Sequence, residues 1–217
     1  VGRRLAAMRF LEGVISDGKM NSKERDKLQK SNHPDLLLIE PTYQHQGQLI
    51  PKSIADQEGL NKRNLPKIRI PQIKQISEFL SREPISAPVG MVIIEDVNAM
   101  LEAASNALLK TLEEPGKGVL ILLSSRPERL LSTIRSRCQV IPFTGLNQSE
   151  IKTVLVKIKN KEIEELIKEG NQPELQDLSS GSPGALIKHV QAWKEIPNEL
   201  WPQLKTFPKR PIEALNL

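Results

Sequence analysis

This sequence is poor in several things at once. It holds a single cysteine, Cys138, so no internal disulfide can form and no cysteine cluster exists for a structural zinc site. Aromatic residues make up 3% of the 217 residues. The core is therefore expected to be aliphatic, and a surface that stacks unpaired bases on aromatic rings is disfavoured. No apolar run approaches the ~20 residues a helix needs to cross a bilayer. Val1-Gly2-Arg3-Arg4 is followed by no apolar h-region and cleavage site. An intracellular, cytoplasmic protein is the expectation. Internal repeats and low-complexity runs are also missing. His33 and His45 have no carboxylate or cysteine companions at ligand spacing, so a structural or solvent role is expected for both.

What is present is ordinary for a globular chain: 38% apolar and 26% charged residues. The length allows one large domain or two modest ones. A net charge of +5 and a pI near 9.3 tolerate a nucleic-acid partner without demanding one. Residues 61–82 carry Lys62, Arg63, Lys67, Arg69, Lys74 and Arg82 against Glu78 alone. This reads as a solvated basic face beside a core helix rather than a phosphate-facing surface, because no aromatic interleaves the charges.

The chain opens in a helical pattern. Leu5, Met8, Leu11 and Ile15 recur on one predicted face. Residues 16–34 are polar, with Asp17-Gly18 as a turn signal. Leu36 to Ile39 predicts a buried strand, followed by Pro41. Thr42 to Asn64 reads as a loop with a short hairpin through Gly47. Ile73, Ile76 and Leu80 form a helical face with Pro71 in the first turn.

The stretch from Met91 to Phe143 organises the rest. Met91-Val92-Ile93-Ile94 predicts a buried parallel strand ending on Glu95 and Asp96. The C-terminal ends of such strands are where an open α/β sheet places ligands. Leu101, Ala104, Leu108 and Leu112 give a helix stopped by Pro115-Gly116. Val119 to Leu123 is expected to be a second buried strand, and Gln139 to Phe143 a third after Ser136-Arg137-Cys138. From Gly145 to Trp193 the pattern is helical: residues 151–158, 163–167, 173–179, and a last helix with Ser182 as N-cap, Pro183 at N1, and Leu186, Val190 and Trp193 facing inward.

Asn106-Ala-Leu-Leu-Lys-Thr-Leu-Glu-Glu-Pro115 followed by Thr133-Ile-Arg-Ser-Arg-Cys138 resembles the AAA+ module of clamp-loader subunits. The resemblance implies an α/β fold. Residues 1–143 would be a parallel-sheet, P-loop-type core lacking its N-terminal strand. Residues 144–195 would be a small helical lid. Residues 196–217, rich in proline, would be a connector toward a collar domain. The start looks like the end of a Walker A loop, so the chain is expected to be clipped there.

A working site of this family needs several parts together: Walker A Lys and Ser/Thr, Walker B acids and a lid arginine. Aligned on Gly2, Arg3 stands at the Lys position and Arg4 at the Ser/Thr position, where it would repel Mg²⁺. Glu95-Asp96 reverses the family's Asp-Glu order, and Gly184 stands where the lid arginine is expected. The resemblance therefore implies no intrinsic ATPase. Nucleotide binding without hydrolysis stays open through Gly2 and Arg3 beside Glu95 and Asp96.

Ser136-Arg137-Cys138 is intact. In the family this arginine enters the ATP site of the neighbouring subunit, so Arg137 is expected to act as a trans finger with Ser136 beside it. The alternative reading of Arg137 is an ordinary surface ion pair. Cys138 is expected to pack rather than react.

Some family members carry a four-cysteine zinc module. This sequence lacks it, and no zinc and no cofactor of its own are expected; ATP would sit in the neighbour. The implied partners are tau/gamma and delta subunits, with the sliding clamp and primer-template DNA met through the complex, and no membrane. The chain is thus read as a non-catalytic subunit of the DNA polymerase III holoenzyme that helps load the clamp. The alternative is an ATP-hydrolysing motor subunit of tau/gamma type. An autonomous DNA-binding module is a weaker reading.

Overall fold

The computed structural model describes residues 2–16, 20–45, 47–59, 64–158 and 179–195. In chain order its elements are α1 (Arg3–Ser16), α2 (Ser22–Gln29), β1 (Leu36–Ile39), β2 (Thr42–His45), β3 (Gln48–Pro51), α3 (Lys52–Gln57), α4 (Ile70–Leu80), β4 (Gly90–Ile94), α5 (Glu102–Glu113), β5 (Gly118–Leu122), α6 (Ser132–Arg135), α7 (Gln148–Ile158) and α8 (Pro183–Lys194). The chain divides into two compact units, Gly2–Ile141 and Pro142–Leu217.

In the first unit, the apolar runs form a parallel sheet in the order β1-β4-β5. Leu36 pairs with Met91 and Ile39 with Ile94; Gly90 pairs with Gly118 and Ile94 with Leu122. Successive residues of β4 point to opposite faces, and both faces are covered. Val92 and Ile94 pack with Ile73, Ile76, Ala104 and Leu108 from α4 and α5. Met91 and Ile93 pack with Met8 and Leu11 of α1 and Leu28 of α2. That double burial explains why β4 is apolar throughout rather than alternating. A Cβ on Gly118 would lie 2.5 Å from Leu80 Cδ2 and 3.2 Å from Pro115 O, so a larger residue there would force Leu80 of α4 to shift from the start of β5.

Several expectations are corrected here. Leu5 is 61% exposed. The buried stripe of α1 runs instead through Met8 and Leu11 with Ala7 and Glu12, which sets Arg4, at i−4 from Met8, at its head. β5 is half-buried along its length, because among the described residues it pairs with β4 alone. Gln139 to Phe143 forms no strand: these residues find no ladder partner among the described residues, and Val140 and Ile141 are 55% and 70% exposed.

The hairpin is real, with Tyr43 opposite Ile50 and Gly47 at φ +80°. Two short helices went unpredicted. α2 carries only Leu28 as a buried residue and is started by Asn21, whose side chain accepts from the Glu24 N–H. α3 buries only Ala55. Such short helices give too few apolar repeats to announce themselves. The Asp17-Gly18 turn lies outside the described residues.

In the second unit, Ile151 and Leu155 of α7 pack against Leu186 and Val190 of α8. Ser182 Oγ accepts from the Ala185 N–H at 3.2 Å, the expected N-cap. Gly181, at φ +75°, admits the chain of Gly145-Leu146, whose backbone would meet an added Cβ at 2.6–2.7 Å. The expected helices at 163–167 and 173–179 lie outside the described residues, save Ser179. So do the Trp193 side chain and residues 196–217.

Candidate functional site

The C-terminal ends of the sheet strands collect polar groups. Glu40 follows β1; Glu95 and Asp96 follow β4; Ser124 follows β5 after Leu123. Glu95 is held in register by its N–H donating to Ile39 O at 2.8 Å. Asp96 adopts a left-handed conformation, φ 46° and ψ 54°. Aspartate accepts this conformation more readily than most side chains, and it turns the chain out of β4 into the short helical turn Val97–Ala99. Asp96 is exposed while Glu95 is half-buried.

Arg4 brings its guanidinium to Glu95, with Nε 3.1 Å from Oε1. The N–H is not aligned on that oxygen, so the contact is charge against charge, and Glu95 Oε1 is left buried without a hydrogen bond. Arg4 Nη2 also donates to Ser31 Oγ at 3.4 Å. Burial pushes the Glu95 carboxyl above its ordinary value; Arg4 opposes that rise, Glu40 adds to it, Lys52 opposes it and Asp96 adds a little. Glu40 itself accepts from Ser53 N and Oγ at 3.0 and 2.5 Å. Gly2, at φ +65°, gives its carbonyl to the Ala6 N–H at 2.9 Å, and Arg3 opens α1.

The sequence reading missed two organisers. Asn98 ties the loop after β5 to the loop after β4: its Oδ1 accepts from Ser124 Oγ at 2.8 Å and Ser125 N at 3.1 Å, and its Nδ2 donates to Arg126 O at 2.8 Å. Asp35, directly before β1, accepts from the backbone N–H groups of Ile85, Ser86 and Ala87 at 2.6–2.7 Å. Burial raises its pKa, but these donors outweigh it, and the carboxyl sits below its ordinary value. His33 accepts from the Asp35 N–H at 3.1 Å and is buried, while His45 is exposed. In the basic segment, Arg69 Nη1 donates to Thr42 O and Lys67 O at 2.8 and 3.1 Å, which commits it to holding the hairpin. Lys62 and Arg63 lie outside the described residues.

Arg137 stands apart from this group. It follows α6, which is anchored by Ile134, 2% exposed. Its backbone N–H donates to Ile134 O at 3.1 Å. Its Nη1 donates to Thr133 O at 3.0 Å and its Nη2 to Glu113 Oε1 at 2.7 Å. Ser136 Oγ also donates to Thr133 O, at 3.1 Å. The side chain is exposed and is held by α6 and the end of α5; the helical turn expected before it is present, and the strand expected after it at Gln139 is not. Arg137 thus makes an ion pair with Glu113, and this leaves part of the guanidinium free. Cys138 packs against the α4/α5 side of the core, and burial pushes its thiol up, away from thiolate chemistry. In the other unit, Gly184 is exposed in the first turn of α8, with nothing within 4 Å of where a Cβ would stand.

These residues do not fit a magnesium-bound nucleotide. A guanidinium, not a hydroxyl, faces the acid after β4, and it meets that acid's charge. Among the described residues no group of three His, Cys, Asp or Glu could hold a metal ion. No helix among them is long and apolar enough to cross a membrane.

Comparison with known proteins places the chain. Residues 1–147 match the family described as "DNA polymerase III, delta subunit". Residues 149–217 match "Cyanobacterial DNA polymerase III delta prime, C-terminal domain". DNA polymerase III subunit delta' of Bacillus subtilis is 33% identical over 60% of this chain and 33% of its own. The Pseudomonas aeruginosa delta' subunit is 32% identical over 86% of this chain and 50% of its own. A solved DNA polymerase III gamma subunit-related protein from Thermotoga maritima superposes with a TM-score of 0.48 at 24% identity, over 89% of this chain and 55% of that one. The chain thus spans half or less of the length of the curated delta' relatives named here. With both its segments matched, the chain belongs to the DNA polymerase III delta-prime family.

Proposed function

We propose that this chain is the AAA+ part of a non-catalytic clamp-loader subunit. In this reading it hydrolyses no ATP itself. It supplies Arg137 in trans, with Ser136 beside it, to the ATP site of a tau/gamma-type neighbour. With the delta subunit it helps load the sliding clamp onto primer-template DNA in the cytoplasm. It needs neither zinc nor a nucleotide of its own.

The observation that carries this reading is the Arg4–Glu95 pair at 3.1 Å. The acid that would serve a metal is already faced by a fixed cation, and the lid presents Gly184 instead of an arginine. An arginine contact to a transferring phosphoryl group is worth roughly 10³–10⁵ in rate, so a site without one is severely impaired. Arg137 supports the second half. A guanidinium aimed by a rigid mount is what a trans finger requires, because the donors must be in place before charge develops. The experiment is steady-state ATP turnover of the purified full-length protein, alone and with primed DNA. No turnover is expected. Turnover abolished by Asp96→Asn would make the protein a motor subunit instead.

A further inference from the structure

We propose that Glu113 is a positioning residue for Arg137, aiming the guanidinium that the reading above assigns to the neighbour's ATP site. The inference rests on that reading and adds a residue to it. Glu113 is the last residue of α5, and its carboxylate meets Arg137 Nη2 at 2.7 Å. The other terminal nitrogen, Nη1, is held by Thr133 O at 3.0 Å. Two contacts on two different nitrogens fix the plane of the group as well as its place. A guanidinium carries five N–H donors, so about three remain to meet an incoming anion.

Both mounts are rigid. α5 is pinned by the fully buried Ala104 and Leu108 and by the Ser77 and Thr111 hydroxyls at 2.9 Å. α6 is pinned by Ile134. Thr133 lies on α6, the short helix that runs directly into the turn bearing Arg137, so alone it would leave the side chain free to swing with its own turn. Glu113 comes from a different element, and it converts a local contact into a cross-brace. The pair is exposed, at 36% and 51% for the two side chains. An exposed pair of this kind stabilises a fold little, so breaking it should leave the subunit folded while loosening the arginine.

The test is a double-mutant cycle in the reconstituted loader, built with full-length protein and assayed for ATP hydrolysis with clamp and primed DNA. Glu113→Ala is expected to slow the site that Arg137 faces by about tenfold, since a misplacement near 1 Å can cost as much as 10²-fold. KM for ATP and the melting temperature of the isolated subunit should stay unchanged. Glu113→Gln, which keeps the acceptor but not the charge, should fall between. In an Arg137→Ala background, Glu113→Ala should add nothing. If Arg137→Ala slows hydrolysis and Glu113→Ala does not, the positioning role is overturned and the trans finger stands. An equal loss from Glu113→Ala with and without Arg137 would make Glu113 structural, and also overturns the inference. If Arg137→Ala is silent, the finger and its brace fall together.

Discussion

Arg4 on the first turn of α1 places its guanidinium 3.1 Å from the Glu95 carboxylate at the end of β4. Glu95 is the more enclosed of the two, at 24% side-chain exposure against 51%. Its carboxyl is raised chiefly by burial and held down by Arg4. A carboxyl whose folded pKa is raised contributes stability that is fully present below its unfolded pKa of ~4.3 and is lost as pH rises through the folded value. Glu95→Gln should remove that loss and flatten the stability profile above pH ~4.3. Arg4→Ala removes the opposing charge and should steepen it, by no more than ~1 kcal/mol for a pair this open to solvent. Urea midpoints measured between about pH 4 and 7.5 test this; profiles unchanged by both substitutions would show that the pair carries no energetic coupling.

Asp35 has the opposite sign. Its carboxyl, lowered by the backbone donors of Ile85, Ser86 and Ala87 against the effect of burial, contributes stability above its unfolded pKa that is lost as pH falls through the folded one. Asp35→Asn should cost ~1–3 kcal/mol at neutral pH, the usual cost of leaving buried donors poorly satisfied. The deficit should shrink below pH ~3.9, as the wild-type carboxyl also becomes protonated. Thermal melts at two pH values decide it. A deficit independent of pH would point to packing rather than charge.

Two glycines should respond in opposite directions to alanine. At Gly118 a Cβ meets Leu80 Cδ2 at 2.5 Å and Pro115 O at 3.2 Å, so Gly118→Ala should destabilise by ~1–3 kcal/mol as overpacking does. At Gly184 a Cβ meets nothing within 4 Å, so Gly184→Ala should stabilise by ~0.4–1 kcal/mol through the unfolded chain. Denaturant unfolding of the two variants reads the difference.

The parts of the fold that spoke in the sequence were those buried on two sides or on one clean helical face. β1, β4, α4 and α5 announced themselves because Ile73, Ile76, Val92, Ile94 and Leu108 had no freedom to be polar. Elements stabilised by a cap or one buried residue, such as α2 with Asn21 and Leu28, stayed silent. Gln139 to Phe143 misled for a different reason: β-branched and aromatic residues favour a strand, but a strand also needs a neighbour, and composition does not report one. At the site, the motif spelling exposed Arg4, Glu95, Asp96, Arg137 and Gly184 as odd or intact letters. It could not show that Arg4 and Glu95, 91 positions apart, meet. Nor could it show Asn98 or Glu113, whose roles arise from loops and helix ends brought together by the sheet. Glu40, an acid directly after β1, is a signal of that end of the sheet that its sequence position does carry.

The most direct test of the account is Arg137→Ala in the assembled loader. The side chain is exposed and away from the core, so the subunit's fold should be nearly unchanged, within ~0.5 kcal/mol, and assembly on gel filtration should be intact. Steady-state ATP hydrolysis with clamp and primed DNA should nevertheless fall, and only partially, because other sites keep their own arginines. Arg137→Lys should rescue poorly, since a flexible ammonium does not reproduce the planar fork. Wild-type turnover in a properly assembled Arg137→Ala complex would contradict the account and leave Arg137 as the surface partner of Glu113.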